Sequence, residues 1–295
     1  MNKRKNGRRK PYFGSVRFFR HLILTTITLL IIIPISLAVC FKVQNKKLVK
    51  ESYVLYSENM ALQNQAKNQA NMAKNSETVK EKEPVQLSSK KYGEILVDTS
   101  SWELLLVNDT HPLNPKFKVK LVEVQPGQSV DARIAKDLQD MMAAAENEGY
   151  QLHIYSSFRD LKRQQSLFND CIKRLQEEGL DYQQSFYESK ARLALPGTSE
   201  HQTGLAVDIA PKAYFYLDEE RGGQKEALWL AENCSRFGFV LRYPKDKENI
   251  TGIRYEPEHF RYVGKTVAKF LTENDLVLEE FYDILLKSDT PEKTD

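Results

Sequence analysis

The chain has 295 residues, of which 41% are hydrophobic and 28% are charged, so it is long enough for one sizeable domain with additional segments. Its net charge of +3 is unevenly distributed: residues 1–20 contain eight Lys and Arg residues and no acid, and without those eight the remaining sequence carries −5. This acidic remainder argues against a nucleic-acid partner, which requires a basic surface.

Residues 22–41 form an uncharged, apolar run of twenty residues directly after the basic segment. As a helix this run would be ~30 Å long, which matches the hydrocarbon core of a bilayer. The basic side predicts a cytoplasmic N-terminus and an exported remainder. A retained anchor is favoured over a cleaved signal, the alternative, because no small-x-small cleavage site follows the run.

Changes in composition divide the chain into five segments. We predict a basic cytoplasmic N-terminus at 1–21, a transmembrane signal-anchor at 22–41, a polar extracellular stalk at 42–92, a folded domain at 93–287 and a polar tail at 288–295. The stalk is assigned because Asn, Gln, Lys and Glu dominate it and it has too few large apolar residues to bury a core.

Helices and strands are predicted within residues 93–287 from the spacing of apolar residues and from turn residues. In chain order they are a buried strand at 102–107, a helix at 131–147, a strand at 152–156, helices at 160–178 and 182–193, a strand at 205–209, a helix at 224–237, strands at 239–243 and 261–263, and two C-terminal helices. Strands and helices do not alternate regularly, so we predict the α+β class with a small antiparallel sheet and flanking helices.

The segment SEHQTGLAVD at residues 199–208 is the first cluster of chemically versatile side chains. On a strand, Leu205 and Val207 face one side, and Asp208 faces the other side between two alanines that leave space beside it. His201 lies just upstream in a loop that closes at Gly204, and the loop can return its imidazole toward Asp208. This arrangement suits a metal site.

The segment YEPEHF at residues 255–260 is the second cluster. Pro257 predicts a turn with Glu256 and His259 at its first and fourth positions, where their Cα atoms would be under ~7 Å apart. One of these residues can then bind a metal ion while the other acts on a bound water. Two imidazoles and one carboxylate, with a fourth position for water, are typical of catalytic zinc sites.

These motifs together resemble the signature of D-alanyl-D-alanine carboxypeptidases of the VanY and LdcB type. The pattern is Ser-x-His-x-x-Gly-x-Ala-x-Asp, followed some fifty residues later by Glu-x-x-His, and the resemblance covers residues 101–264. Further matching segments are LLVN at 105–108, SSFR at 156–159 and HFRYVG at 259–264. Two positions depart from the family: Ser157 replaces a common Gly, and Glu258 replaces a common Trp, which could alter the rim of the pocket.

The resemblance implies a role for each matching residue. The Zn²⁺ ligands would be His201, Asp208 and His259, and Glu256 would be the general base that later protonates the leaving amine. Arg159 would bind substrate and the charge that develops during the reaction, which suits a guanidinium. Gln164 and Ser199 would line the same substrate cleft.

The implied function is a zinc-dependent D,D-carboxypeptidase that removes the terminal D-alanine from pentapeptide stems of peptidoglycan outside the cell. An L,D-carboxypeptidase acting on tetrapeptide stems is the first alternative, because the motifs do not separate the two activities. An endopeptidase is a third option, and a zinc-stabilised module that binds the wall without turnover is a fourth. The implied location is a single-pass protein of the bacterial cell membrane with its catalytic domain outside, while the oligomeric state is not predicted. Cys171 and Cys234 could pair there or remain buried free thiols.

Overall fold

The structure is a computed structural model that describes residues 16–37, 39–40, 44, 85–89, 93–212 and 222–288. Most of the predicted N-terminal segment, stalk and tail therefore lies outside the described residues. The chain divides between residues 78 and 79 into two units.

Helix α1 (Val16–Leu37) is the described element of the first unit. It has 22 residues with a mean hydropathy of 2.0, so it is long and apolar enough to cross a membrane. A signal sequence near the N-terminus can meet the same criteria of length and hydropathy. The helix is therefore a candidate span, and it overlaps most of the predicted run at residues 22–41.

The second unit contains the remaining helices and strands in a mixed order. These are β1 (Val85–Ser89), β2 (Gly93–Val97), β3 (Leu121–Gln125), β4 (Gln128–Asp131), α2 (Ala135–Asn147), β5 (Leu152–Ser156), α3 (Leu161–Glu177), α4 (Tyr182–Lys190), β6 (Ala206–Pro211), α5 (Lys225–Asn233), β7 (Phe239–Tyr243), α6 (Glu248–Thr251), β8 (Glu256–Tyr262), α7 (Lys265–Glu273) and α8 (Leu278–Ser288). Short 3-10 helices cover Trp102–Leu104, Glu200–Thr203 and Cys234–Phe237. The prediction of mixed helices with small antiparallel sheets is confirmed.

The main sheet has four antiparallel strands in the order β5-β6-β8-β7, and β1–β2 and β3–β4 form separate two-stranded sheets. Strands β6 and β8 are the central pair. Asp208 on β6 lies directly opposite His259 on β8, and Ser156 on β5 pairs with Asp208 on the other side. The centre of the sheet thus brings together segments that are far apart in the sequence.

Two hydrophobic clusters support this sheet. In the first, Val207 and Ile209 of β6 pack with α2 and α5. In the second, α7 and α8 pack with β2 and with Val240 of β7. Because Val207 and Ile209 face the core, the alternation along β6 turns Asp208 away from it. Cys171 and Cys234 are both buried and unpaired, as one of the two alternatives held.

Helices α3 and α4 begin where aspartates cap them. The Asp160 side chain accepts a hydrogen bond from the Arg163 backbone nitrogen at 2.7 Å. Asp181 and Gln184 form a reciprocal capping box at the start of α4. These caps agree with the predicted starts of both helices.

The strand predicted at residues 102–107 is wrong. Trp102–Leu104 is a 3-10 helix, and residues 105–107 belong to no strand. The backbone carbonyls of Glu103 and Leu105 accept hydrogen bonds from the Arg261 guanidinium at 3.0 and 2.8 Å, and the carbonyl of Leu104 accepts one from the Tyr282 hydroxyl. Side chains therefore satisfy the carbonyls that a neighbouring strand would otherwise bind.

Candidate metal centre

His201 and Asp208 are brought together by the loop that enters β6. The chain leaves the 3-10 helix at Gly204, whose φ of 76° lies in the left-handed region. A Cβ at this position would lie 2.9 Å from the backbone nitrogen of Asp131, so the close approach of the two segments requires glycine. After this turn, His201 Nε2 lies 3.2 Å from Asp208 Oδ1.

Strand β8 contains a bulge that brings Glu256 beside His259. Phe260 pairs with Leu241 and Glu256 pairs with Tyr243, so four residue steps of β8 run against two of β7. Residues three apart in a regular strand face opposite sides, but the extra residues change this phase. As a result, Glu256 Oε2 lies 3.3 Å from His259 Nδ1.

The turn predicted around Pro257 is wrong, because this segment is part of β8. Proline has no N–H to donate to a sheet, and a bulge is one of the places in a sheet where it is tolerated. The bulge produces the proximity of Glu256 and His259 that the turn was expected to produce. The expected juxtaposition is therefore present, although its structural cause differs.

His201, Asp208 and His259 converge on one point and could hold a metal ion. Each residue offers one ligand atom, and these atoms lie within 4.8 Å of one another. His259 Nδ1 is 3.3 Å from Asp208 Oδ1. The two histidines are buried, whereas the Asp208 side chain is 17% exposed, so the centre is accessible from one side. The donor set fits Zn²⁺, and His201 Nε2 is a buried nitrogen with no hydrogen-bond partner within the described residues.

The two imidazoles present different nitrogens to Asp208. His201 Nδ1 lies 2.7 Å from the Ser157 carbonyl and donates to it, which leaves Nε2 to face the carboxylate. His259 is reversed, because its Nδ1 faces Asp208 while its Nε2 lies 3.4 Å from Glu200 Oε2. Each ring thus has an acceptor behind it and a nitrogen lone pair available for a cation in front.

The electrostatic environment keeps His201 neutral and Asp208 ionised. Burial and the charge of Arg159 lower the pKa of His201 to about 4. Burial alone would raise the pKa of Asp208, but the adjacent imidazoles of His201 and His259 lower it well below its ordinary value. A neutral imidazole and a carboxylate are the forms that bind a divalent cation.

The pKa values of Glu256 and His259 are both raised, but the causes differ. Burial raises the pKa of Glu256, which suits a group that must accept and then release a proton near neutral pH. Burial lowers the pKa of His259, but its hydrogen bonds to Asp208, Glu200 and Glu256 raise it well above the ordinary value overall. A raised pKa means that His259 readily holds a second ring proton, and a cation bound at Nδ1 would replace the proton on that nitrogen.

Arg159 lies at the edge of the centre. Its Nη1 is 3.7 Å from Asp208 Oδ2 and donates to Ser156 Oγ at 3.2 Å, and its backbone nitrogen donates to the His201 carbonyl. The side chain is 16% exposed, and its Nε has no hydrogen-bond partner within the described residues. A partly open guanidinium beside the centre retains donors for an anionic ligand.

Gln164 and Ser199 are both buried, Gln164 on α3 and Ser199 in the loop before the 3-10 helix. Gln164 Nε2 donates to the Ala194 carbonyl at 2.7 Å, and its Oε1 has no partner within the described residues. Ser199 precedes the 3-10 helix that carries His201. No hydrogen bond joins either side chain to His201, Asp208 or His259 in the described part of the chain.

Sequence reasoning missed Glu200, Arg242 and Arg261. All three are almost fully buried, and Glu200 Oε1 accepts from Arg242 Nε at 2.8 Å and from Arg261 Nη1 at 2.9 Å. The available signal was a single arginine in the otherwise apolar segment 239–243 and another in the segment FRYV at 260–263. A charge placed in a buried strand requires a buried partner.

Three comparisons identify the family. The family model VanY, described as D-alanyl-D-alanine carboxypeptidase, matches residues 127–265. A D-alanyl-D-alanine carboxypeptidase of Enterococcus faecalis is 38% identical over 184 residues, which cover 62% of this chain and 67% of that protein. The bifunctional D-Ala-D-Ala dipeptidase and D-Ala-D-Ala carboxypeptidase VanXYC of Enterococcus gallinarum is 33% identical over 193 residues, which cover 63% of this chain and 96% of that protein.

Solved structures extend the likeness to the fold. A mutant of the vancomycin-resistance D,D-pentapeptidase VanY in complex with Zn(II) matches with a TM-score of 0.57 and 37% identity, covering 62% of this chain and 99% of that one. The LD-carboxypeptidase LdcB matches with a TM-score of 0.51 and 35% identity, covering 60% and 84%. The chain therefore belongs to the VanY/LdcB-type D-alanyl-D-alanine carboxypeptidase family and is a peptidase.

Proposed function

We propose that the protein is a zinc-dependent D,D-carboxypeptidase that removes the terminal D-alanine from peptidoglycan stem pentapeptides. The observation that carries the proposal is the convergence of two imidazole nitrogens and one carboxylate within 4.8 Å, beside a second, partly buried carboxylate. His201, Asp208 and His259 would hold the ion. Zinc supplies Lewis-acid polarisation of the scissile carbonyl and of the attacking water.

Glu256 is the proposed general base and acid. Its carboxylate takes a proton from the attacking water as the water oxygen bonds to the scissile carbon. It then passes that proton to the amine of the departing D-alanine as the C–N bond breaks. The raised pKa of Glu256 favours both halves of this transfer.

Arg159, Gln164 and Ser199 are the proposed substrate contacts. The Nε–H of Arg159, which has no partner among the described residues, suits the terminal carboxylate of a stem peptide or the oxyanion that develops from its scissile carbonyl. The buried Oε1 of Gln164 lacks a partner within the described residues and could accept from a peptide N–H. Replacing Arg159 by Lys would keep the charge but lose the planar fork, so we expect a lower kcat/KM without loss of metal.

The second candidate is an L,D-carboxypeptidase that acts on tetrapeptide stems. The likeness to the LdcB structure, which is described as an LD-carboxypeptidase, supports this candidate. Glu258 follows Pro257 on β8 and replaces a residue that is commonly Trp in the family. A carboxylate in place of a large apolar side chain would change the substrates that the pocket favours.

The proposed location is the outer face of a bacterial membrane. Helix α1 would remain as a single-pass anchor, with the basic segment inside and the catalytic unit outside. This arrangement would place the enzyme beside the peptidoglycan stems. Comparing the N-terminal sequence of the mature protein with the full sequence tests the alternative of a cleaved signal.

The decisive experiment gives the purified full-length chain defined pentapeptide and tetrapeptide stems, with and without a chelator. We expect loss of one D-alanine from the pentapeptide, abolished by chelation and restored by Zn²⁺. Glu256→Gln should lower kcat by ~10²–10⁴-fold with zinc content unchanged, because general acid–base catalysis contributes about that much. The exposed Glu232→Gln is the matched control and should retain full activity.

Each outcome separates the candidates. Cleavage of the tetrapeptide alone would replace the D,D assignment by the L,D one. Normal turnover by Glu256→Gln would refute the proposed mechanism. Zinc binding without any cleavage would support a binding module instead.

A further inference from the structure

A buried charge network lies directly behind the candidate metal centre. Glu200 Oε1 accepts from both Arg242 and Arg261, and both arginines are buried. Arg242 also binds the Glu279 carboxylate on α8 at 2.8 and 2.5 Å. Arg261 reaches the backbone carbonyls of residues 103 and 105, so the network is anchored at both ends.

The second oxygen of Glu200 points toward His259. Glu200 Oε2 lies 3.4 Å from His259 Nε2, and both atoms are buried. Neither atom has another hydrogen-bond partner within the described residues. The two arginines occupy Oε1, so Oε2 is the acceptor left for the imidazole.

We infer that Glu200 is a positioning residue that holds the His259 ring with Nε2–H toward Oε2, so that the Nδ1 lone pair faces Asp208 and the metal ion. This inference rests on the proposed zinc site. An imidazole can bind a metal through either nitrogen, and the acceptor at the other nitrogen decides which one is free. In His201 the two ring nitrogens exchange these roles, since Nδ1–H donates to the Ser157 carbonyl and Nε2 faces Asp208.

The arginines explain why a carboxylate can have this role at full burial. An isolated buried carboxylate would be strongly destabilising, whereas two guanidinium groups compensate its charge. They also restrict the carboxylate, because each binds Oε1 and is itself held by groups on other segments. Glu200 is therefore a rigid acceptor rather than a mobile one.

The competing interpretation is that Glu200 only neutralises Arg242 and Arg261. Glu279 provides the matched control, since its carboxylate also binds Arg242 but has no contact with either histidine among the described residues. Glu200→Gln preserves size, yet its NH₂ group must face either the guanidinium groups or the imidazole N–H. Two charged guanidinium groups compete with one imidazole N–H for the single amide oxygen, so we expect the oxygen to face the arginines. The NH₂ group then faces His259 Nε2, and the ring loses its acceptor.

The test measures metal binding by the purified full-length chain. Zn²⁺ affinity is determined by competition with a chromophoric chelator, and the visible absorption spectrum of the Co²⁺-substituted protein reports the ligand geometry. We expect Glu200→Gln to weaken Zn²⁺ binding by ~10–100-fold, as loss of a group that orients a ligand typically does, and to alter the Co²⁺ spectrum. Glu279→Gln should lower the thermal midpoint but leave both metal readouts unchanged.

Wild-type affinity and an unaltered Co²⁺ spectrum in Glu200→Gln would overturn the inference. If that variant does not fold, ¹⁵N-histidine NMR of the zinc-loaded wild type decides: we expect His259 to be protonated at Nε2 and metal-bound at Nδ1. Binding through Nε2 would overturn the inference without any variant. Absence of zinc binding in the wild type would instead refute the proposed function.

Discussion

Gly204 should be among the least replaceable residues near the centre. It lies between His201 and Asp208, has a φ of 76°, and its carbonyl accepts a hydrogen bond from the Asp131 nitrogen at 3.0 Å. An added Cβ would lie 2.9 Å from that same nitrogen and 3.3 Å from Val119 Cγ2. Because one of these neighbours is backbone, it cannot move aside by changing a rotamer.

The expected magnitude has two parts. A left-handed alanine costs ~1–2 kcal/mol, and the reduced entropy of the unfolded chain offsets ~0.4–1 kcal/mol of that. The steric contact adds ~1–3 kcal/mol, as overpacking does elsewhere. Gly252→Ala isolates the first part, because Gly252 has a φ of 75° and nothing within 4 Å of an added Cβ.

Thermal unfolding of the chelated full-length chain measures the difference. The chain has two tryptophans, Trp102 and Trp229, and both lie in the second unit, so their fluorescence reports on it. For a domain of this size 1 kcal/mol corresponds to ~2–4 °C in the midpoint. We expect the thermal midpoint to fall by about that amount in Gly252→Ala and by at least twice as much in Gly204→Ala. We also expect Gly204→Ala to bind zinc more weakly.

Equal midpoints for the two variants would refute this reasoning. Such a result would mean that the contact with Asp131 relaxes without cost. Unchanged zinc affinity in Gly204→Ala would show that the turn does not determine the distance between His201 and Asp208.

Two further predictions concern ionisable groups away from the metal ligands. Burial alone would raise the pKa of Glu279, but the charge and hydrogen bonds of Arg242 lower it below the ordinary 4.5. The ionised Glu279 carboxylate therefore stabilises the fold above pH 4.5, and this stabilisation is lost as the pH falls further. Glu279→Gln should lower the thermal midpoint at pH 7 and make the midpoint depend less on acid pH. An identical dependence of the midpoint on acid pH in both proteins would contradict this expectation. Burial also raises the pKa of Cys234 to about 12, and Cys171 is buried as well. In a Cys40→Ser background neither thiol should react with an aqueous thiol reagent before denaturant is added, and rapid labelling of the folded protein would contradict their burial.

Local patterns predicted helices α2 to α5 and strands β5 to β7, whereas β8 was predicted only at 261–263 and begins at Glu256. The alternation along residues 205–209 correctly turned Asp208 away from the core, because burial of one face determines the phase of a strand. The predicted helix starts at residues 160 and 182 coincide with the positions that Asp160 and Asp181 cap. The hairpin β3–β4 was not predicted, although Pro126 and Gly127 between two short strands were a usable turn signal.

The features that the sequence could not predict depend on distant partners. The bulge in β8 exists only in relation to β7, so local reasoning took Pro257 for a turn. The local pattern of residues 102–107 predicts a strand, but Arg261, more than 150 positions later, binds the carbonyls of Glu103 and Leu105. The acceptor role inferred for Glu200 likewise requires Arg242 on β7 and Arg261 on β8, which follow it by 42 and 61 positions.

The register of the central strands has a consequence for how the enzyme would respond to loss of a bound metal ion. Asp208 and His259 are opposite partners on β6 and β8, so a shared ion would act as a cross-link across the middle of the sheet. Such a cross-link stabilises only the folded chain, by ~4 kcal/mol when free zinc exceeds its dissociation constant a thousandfold. At the proposed zinc site, metal depletion would therefore act in two ways, by halting hydrolysis and by loosening the sheet so that proteases could cleave it.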